Sequence, residues 1–207
     1  MSTMPRTFVT AEQYLELDRA AAAKSEYYNG EMFAMAGGSF AHAVLQTALS
    51  RVVGSRLDRK KCTSLSSDMR IQVSATGLYT YPDFAVVCGA PLFADRHRDT
   101  LLNPVLVAEV LSPSTESYDR AKKFEHYRTI ESLKHCVLVS QSTMLVEVFT
   151  LEDGRLDFRG ASEEGEIVRL PAIAVEFPVE ELYEGVDLSE ALELQKRRPR
   201  RTAAPTR

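Results

Sequence analysis

The segment Val105-Leu106-Val107-Ala108-Glu109-Val110-Leu111 constrains this chain more than any other. It is a short run, apolar except for one residue, of the length and composition of a strand covered on both faces. Such a strand lies inside a sheet with further layers packed against it, which points to a mixed α/β protein. The run also poses a problem. An ionised carboxylate among valine and leucine is costly unless it is paired, so Glu109 needs a cation, a hydrogen-bond network or a proton.

Around this run the pattern alternates between helix and strand signals. Thr10 with Gln13 reads as a capping box opening a helix to about Ala22. Glu26-Tyr27-Tyr28-Asn29-Gly30-Glu31-Met32-Phe33 reads as a hairpin, because a tight turn with two positive φ angles suits Asn-Gly. Ser39 caps a second helix, with Val44, Leu45, Ala48, Leu49, Val52 and Leu57 at helical spacing. Met69, Ile71 and Val73 alternate with Asp68, Arg70 and Gln72, as in a half-buried strand. A strand over Tyr79 to Cys88 is interrupted by Pro82, which cannot donate to a ladder. Residues 89–103 read as loop. After Leu111, Ser112 or Ser114 caps a helix expected to reach about Thr129. Strands follow at His135–Val139 and Leu145–Thr150, then a turn at Asp153-Gly154, more β structure over Glu166–Val175, and a short helix at Val179–Glu184. The 207 residues suit one domain over residues 1–190 with a basic, disordered tail over 191–207.

Charge is unevenly spread. The net charge is −4, but residues 1–190 hold nineteen basic and twenty-eight acidic residues (−9), and the tail holds six basic and one acidic (+5). An acidic body suits a protein in which a bound metal supplies the positive charge where phosphate must sit; the tail adds non-specific phosphate affinity or is a solvated terminus. No apolar run approaches the roughly 18 residues of a membrane span, and the first ten residues lack the features of a signal peptide. Cys62, Cys88 and Cys136 form no metal-ligand cluster and read as free thiols in a reducing compartment, with the cytoplasm as the default.

A second carboxylate, Asp83, follows Pro82 one strand earlier. Two carboxylates brought together by neighbouring strands repel without a cation, and Mg²⁺ takes one or two such ligands while keeping several waters. Pro-Asp alone is equally a turn. Downstream, Asp119 and Lys123 share a helix face as an i, i+4 pair, either a surface ion pair or a lysine aimed at the end of the Glu109 strand.

Tyr81-Pro82-Asp83, Val107-Ala108-Glu109-Val110-Leu111-Ser112-Pro113-Ser114-Thr115, and Asp119 through Lys123 with Tyr127 together resemble the Uma-type restriction endonuclease family of the PD-(D/E)XK nuclease superfamily. The resemblance extends upstream through Glu26–Glu31 to His42 and covers roughly residues 7–190. It implies a restriction-endonuclease-like core, a twisted mixed sheet flanked by helices. It also implies a metal-dependent endonuclease acting on DNA with Mg²⁺ or Mn²⁺, and a homodimer. Asp83, Glu109, Lys123 and Glu26 are then the catalytic residues, and Asp83, Glu109 and the Val110 carbonyl hold metal. The superfamily's lysine stands two residues after the acid, where this chain has Leu111; the resemblance moves that role to Lys123. Lys122 is the alternative, as Glu31 is to Glu26. His42 bonds into the site or is structural. The competing readings are a silent DNA-binding or protein-interaction module that keeps the fold, and an enzyme on a small substrate with the same metal site.

Overall fold

The computed structural model describes residues 8–113, 115–152 and 154–188; the basic tail lies outside the described residues. Helix α1 (Ala11–Ala20) opens with the expected capping box, the Thr10 and Gln13 side chains each reaching the other's backbone N–H. Strands β1 (Ser25–Tyr28) and β2 (Glu31–Ala34) form the hairpin, and its turn has φ of 49° at Asn29 and 83° at Gly30. Helix α2 (Phe40–Arg56) is capped by Ser39, whose hydroxyl accepts from the His42 N–H.

The remaining strands are β3 (Cys62–Ser66), β4 (Arg70–Val73), β5 (Leu78–Thr80), β6 (Phe84–Cys88), β7 (Thr100–Leu101), β8 (Leu106–Leu111), β9 (His135–Ser140), β10 (Val146–Glu152), β11 (Arg155–Ala161), β12 (Ile167–Leu170) and β13 (Val175–Pro178). They divide over a six-stranded sheet ordered β11-β10-β9-β8-β6-β3, a five-stranded sheet ordered β2-β1-β5-β4-β7, and the β12-β13 hairpin. The β8–β9 pair is parallel within a sheet otherwise antiparallel, so the mixed α/β class holds. Strand β8 is buried along its whole length, as its composition requires. Its alternate side chains enter two cores. Leu106, Ala108 and Val110 pack with Leu45, Leu49 and Val52 of α2. Val107 and Leu111 pack with Ile71 and Leu78 of the other sheet and with Tyr127.

Five expectations change. The segment 89–103 is not all loop, since β7 lies within it and pairs parallel with β4. The segment from Tyr79 to Cys88 is two strands rather than one: Pro82 lies between β5 and β6, just ahead of a strand start, and the chain crosses there from the five-stranded to the six-stranded sheet. Strand β4 is not half-buried: Arg70 is 3% exposed, its guanidinium held by Asp18 at 2.8 Å and by the Tyr81 hydroxyl at 2.9 Å. A buried arginine needs such partners, and the alternation carries no sign of them. Cys62 and Cys88 are not free thiols. The antiparallel register of β3 and β6 sets them opposite one another, and they form a disulfide, while Cys136 is free and buried. The free-thiol premise for a reducing compartment therefore fails for this pair. Finally, the helix after β8 is three short pieces: α3 (Glu116–Tyr118), a π-helical turn Asp119–Lys123, and α4 (Phe124–Tyr127). Its N-cap is Thr115, without a side-chain cap bond; the candidate cap Ser114 lies outside the described residues. Helix α5 (Glu180–Tyr183) closes the described fold. No described helix is long and apolar enough to cross a membrane.

Candidate active site

Where β6 begins, its register with β8 pairs Phe84 with Ala108, so the ladder's next step sets Asp83 beside Glu109. Pro82 has already taken the chain away, and the Val110 N–H has no strand partner on that side. The Asp83 carboxylate takes its place, accepting from the Val110 N–H at 2.7 Å. A buried N–H must find an acceptor, so the break at Pro82 accounts for where the Asp83 carboxylate points. Its other oxygen accepts from Gln46 of α2 at 3.0 Å, and His42 Nε2 lies 3.2 Å from Oδ2. Burial works against a charged His42, but the hydrogen bond and charge of Asp83, with Asp119 behind them, outweigh it and hold the imidazole pKa above its ordinary value.

Glu109, 4% exposed, meets the partners that its position in β8 demands. The Tyr127 hydroxyl donates to Oε1 at 2.6 Å, and the Lys123 ammonium lies 3.0 Å from the same oxygen. Lys123 also reaches Glu26 of β1 at 2.9 Å and Asp119 at 3.7 Å. Glu26 in turn accepts from the Thr80 hydroxyl at 2.5 Å. Burial pushes the Glu109 carboxyl up to about 8. Lys123 pulls the other way, and the negative charges of Asp83 and Asp119 add to the rise. Burial likewise raises Asp119 against the pull of Lys123. For Lys123, burial favours the neutral amine, yet Glu109, Glu26 and Asp119 together raise its pKa, so it stays a cation.

The π-helical turn selects the lysine. The Phe124 N–H reaches the Asp119 carbonyl, a closure five residues long. Asp119 and Lys123 are both buried on the sheet side of this turn, and Lys122 is exposed. Such wide turns cluster at functional sites. The Asp119–Lys123 spacing is therefore not a surface pair. Of the sequence-derived residues, Glu26, Glu109 and Lys123 meet in direct contact. Asp83, just ahead of β6, and Val110 of β8 join them through their mutual hydrogen bond, and His42 binds Asp83. Glu31 lies on β2, opposite Tyr28 and beyond the hairpin turn from Glu26. Asp119, Tyr127, Thr80 and Gln46 were not singled out as site residues. Asp119, Lys123 and Tyr127 stand four residues apart in series, a signal that was present in the sequence.

The donor set suits a hard divalent cation. Three carboxyl groups, Glu26, Glu109 and Asp119, surround one ammonium, Asp83 lies beside Glu109, and burial, with the charges of Asp83 and Asp119, holds Glu109 up to about 8. A bound cation would relieve that and release a proton. Among the described residues, no three His, Cys, Asp or Glu side chains already stand at metal-holding spacing. Mg²⁺, which keeps several waters, is bound through one or two carboxylates.

Layers of this kind, with a buried acidic cluster where two sheets part, place the chain in a known α/β fold. It is similar to the crystal structure of a putative nuclease belonging to DUF820 from Anabaena variabilis, with a TM-score of 0.68 and 17% identity over 85% of this chain and 98% of that one. The chain belongs to the Uma2 family, described as "Putative restriction endonuclease", whose family model matches residues 11–180. Two curated relatives come from Synechocystis sp. Uncharacterized protein slr1290 is 34% identical over 86% of this chain and 93% of its own length. Uncharacterized protein sll1609 is 37% identical over 67% and 78%.

Proposed function

We propose that the protein is a metal-dependent endonuclease that hydrolyses phosphodiester bonds of DNA with Mg²⁺ or Mn²⁺, as a homodimer, with residues 1–190 as one catalytic domain. The observation that carries this reading is the convergence of Glu109, Lys123 and Glu26 beside Asp83, in a chain whose family is described as "Putative restriction endonuclease". Asp83, Glu109 and the Val110 carbonyl are the metal-holding groups. In an extended strand the N–H and C=O of one residue point the same way, and the Val110 N–H points to Asp83. A divalent ion held there would lower the pKa of its water and neutralise phosphate charge. Lys123 holds its proton and presents a fixed positive charge to the phosphate and the attacking water. Glu26 and Asp119 fix the ammonium in place, Tyr127 orients Glu109, and His42 and Gln46 orient Asp83.

One observation favours the second reading, a silent DNA-binding or protein-interaction module: the Lys123 ammonium is closed onto Glu109 and Glu26. A cleavage assay decides. Purified protein cuts DNA with Mg²⁺ or Mn²⁺ and not in chelator. Asp83→Ala and Glu109→Ala abolish cutting, Lys123→Ala abolishes it while metal binding persists, and Lys122→Ala is mild. Wild-type protein that cuts neither DNA nor RNA with either ion sinks the nuclease reading and leaves the module.

A further inference from the structure

Strand β11 forms one edge of the six-stranded sheet. It pairs with β10 through seven unbroken residue pairs, Val146↔Ala161 to Glu152↔Arg155. On its outer side no strand pairs with it among the described residues, and residues 155–160 are all exposed. Its sequence, Arg155-Leu156-Asp157-Phe158-Arg159-Gly160-Ala161, has no proline and its ladder has no bulge; of the devices that block an edge it carries only charged side chains, which oppose pairing where like meets like. Leu156 and Phe158 stand 47% and 54% exposed on one face of it. We infer that β11 is the dimer interface of this protein, pairing antiparallel with β11 of a second copy across a two-fold axis at Phe158.

The register follows from charge. A two-fold axis normal to the sheet must pair residues of the same face, so it passes through a residue. Centred on Asp157, it sets Asp157 against its own copy and Arg155 against Arg159. Centred on Arg159, it sets Arg159 against its copy. Both oppose like charges, which destabilise a cross-strand pair. Asp157 and Arg159 already pair within one strand, at 3.1 Å; centred on Phe158, the axis sets this pair against the second copy's with signs reversed, Asp157 facing Arg159 twice by symmetry, and engages all seven residues. A centre at Leu156 also pairs unlike charges, Arg155 with Asp157, but engages only three residues of each strand.

The apolar face agrees with the same register. Phe158 is the outermost ring of a row in which Phe124 and Phe149 are 4.5 Å apart and Phe149 and Phe158 are 5.1 Å apart, centroid to centroid. The two-fold at Phe158 continues that row into the second copy. It also places Leu156 opposite Gly160. Among the described residues nothing in its own chain requires a glycine there: an added Cβ meets only Leu145 Cδ1, at 3.9 Å, and the backbone is not left-handed. The missing side chain leaves space for the second copy's leucine.

The inference deepens the homodimer part of the proposed function and is independent of catalysis. The test combines cross-linking with sedimentation of the full chain. Cys62 and Cys88 are already paired and Cys136 is buried, so wild type offers no accessible thiol for an intermolecular bond. Under mild oxidation Phe158→Cys gives a covalent dimer, while Leu156→Cys and Leu92→Cys, equally exposed, do so far more slowly. Asp157→Arg turns two attractive pairs into two repulsive ones and weakens the dimer by roughly tenfold or more. Asp157→Arg with Arg159→Asp restores it, because the swapped pair is again complementary. Wild type that sediments as a monomer at tens of micromolar (about the range of weak specific dimers) overturns the homodimer itself. A dimer that Asp157→Arg leaves intact, or that cross-links no faster through position 158 than through 92, overturns this surface and leaves a dimer formed elsewhere. Cross-linking fastest through Leu156 overturns the register.

Discussion

Replacing Lys123 by methionine keeps the length of the side chain and removes the ammonium from between Glu26, Glu109 and Asp119. In the folded protein that ammonium lies 2.9, 3.0 and 3.7 Å from the three carboxyl groups. Breaking a buried ion pair by deleting one partner costs about 3–5 kcal/mol, because the other charge stays buried and unmatched. Burial already disfavours the ionised form of Glu109, so uptake of a proton there relieves part of the unmatched charge, which places the cost near the lower end, about 3 kcal/mol. A domain of this size has a total stability on the order of 5–15 kcal/mol, so the variant still folds but unfolds at a visibly lower urea concentration. Urea titration followed by circular dichroism at pH 7 measures this directly. Glu26→Gln in the Lys123→Met background recovers part of the loss, since one stranded charge is gone. Mg²⁺ raises the midpoint of Lys123→Met more than that of wild type, since the cation meets more unmatched charge. A cost below about 1 kcal/mol, the value of an exposed pair, with no recovery from Glu26→Gln, would falsify the picture of a buried, mutually dependent cluster.

Three further outcomes follow from other parts of the fold. The buried His135 accepts the Ala172 N–H at Nε2, 3.1 Å away, and burial pulls its pKa down to about 4; between pH 4 and about 6.5 the unfolded chain takes up a proton that the folded one does not, so stability falls as pH drops through that window, by roughly 3 kcal/mol in all, and His135→Gln flattens this slope in urea titrations. Cys62→Ser opens a link between residues 26 apart in sequence and lowers stability by about 3 kcal/mol, with reduced wild type matching the variant. Gly30→Ala puts a Cβ 2.3 Å from the Phe8 ring at a φ of 83°, and costs about 1–2 kcal/mol in the same assay.

What the sequence disclosed depended on how far apart the interacting residues lie. Features settled within four residues were legible: the Thr10 cap, the Asn29-Gly30 turn, the Ser39 cap and the buried character of Leu106–Leu111. The demand that Glu109 be paired was legible too, because the cost of burying its charge does not depend on which partner meets it. Beyond Lys123, the partners were not. Tyr127 reaches Glu109 from a helix 18 residues on, and Asp18 meets Arg70 from 52 residues away, and no periodicity reports such a meeting. Cys62 and Cys88 have no motif spacing, and only the β3–β6 register brings them together. Pro82 announced a break but not that the chain would change sheets there. Strand β3 went unread because Cys62–Ser66 is mostly polar and lies at a sheet edge, where little apolar burial is asked of it.

The π-helical turn at Asp119–Lys123 has a consequence for how this chain is compared with its kin. A wide turn is an α-helical turn with one residue inserted, so a relative with the ordinary turn would carry its inward lysine one alignment column earlier. Two adjacent lysines, Lys122 and Lys123, make the two cases look identical column by column. Equivalence at this site is then a matter of turn geometry rather than of letters. The mutational step that moves the charge in or out is the gain or loss of one residue between Asp119 and Lys123, which rotates everything downstream in the turn while leaving composition almost untouched.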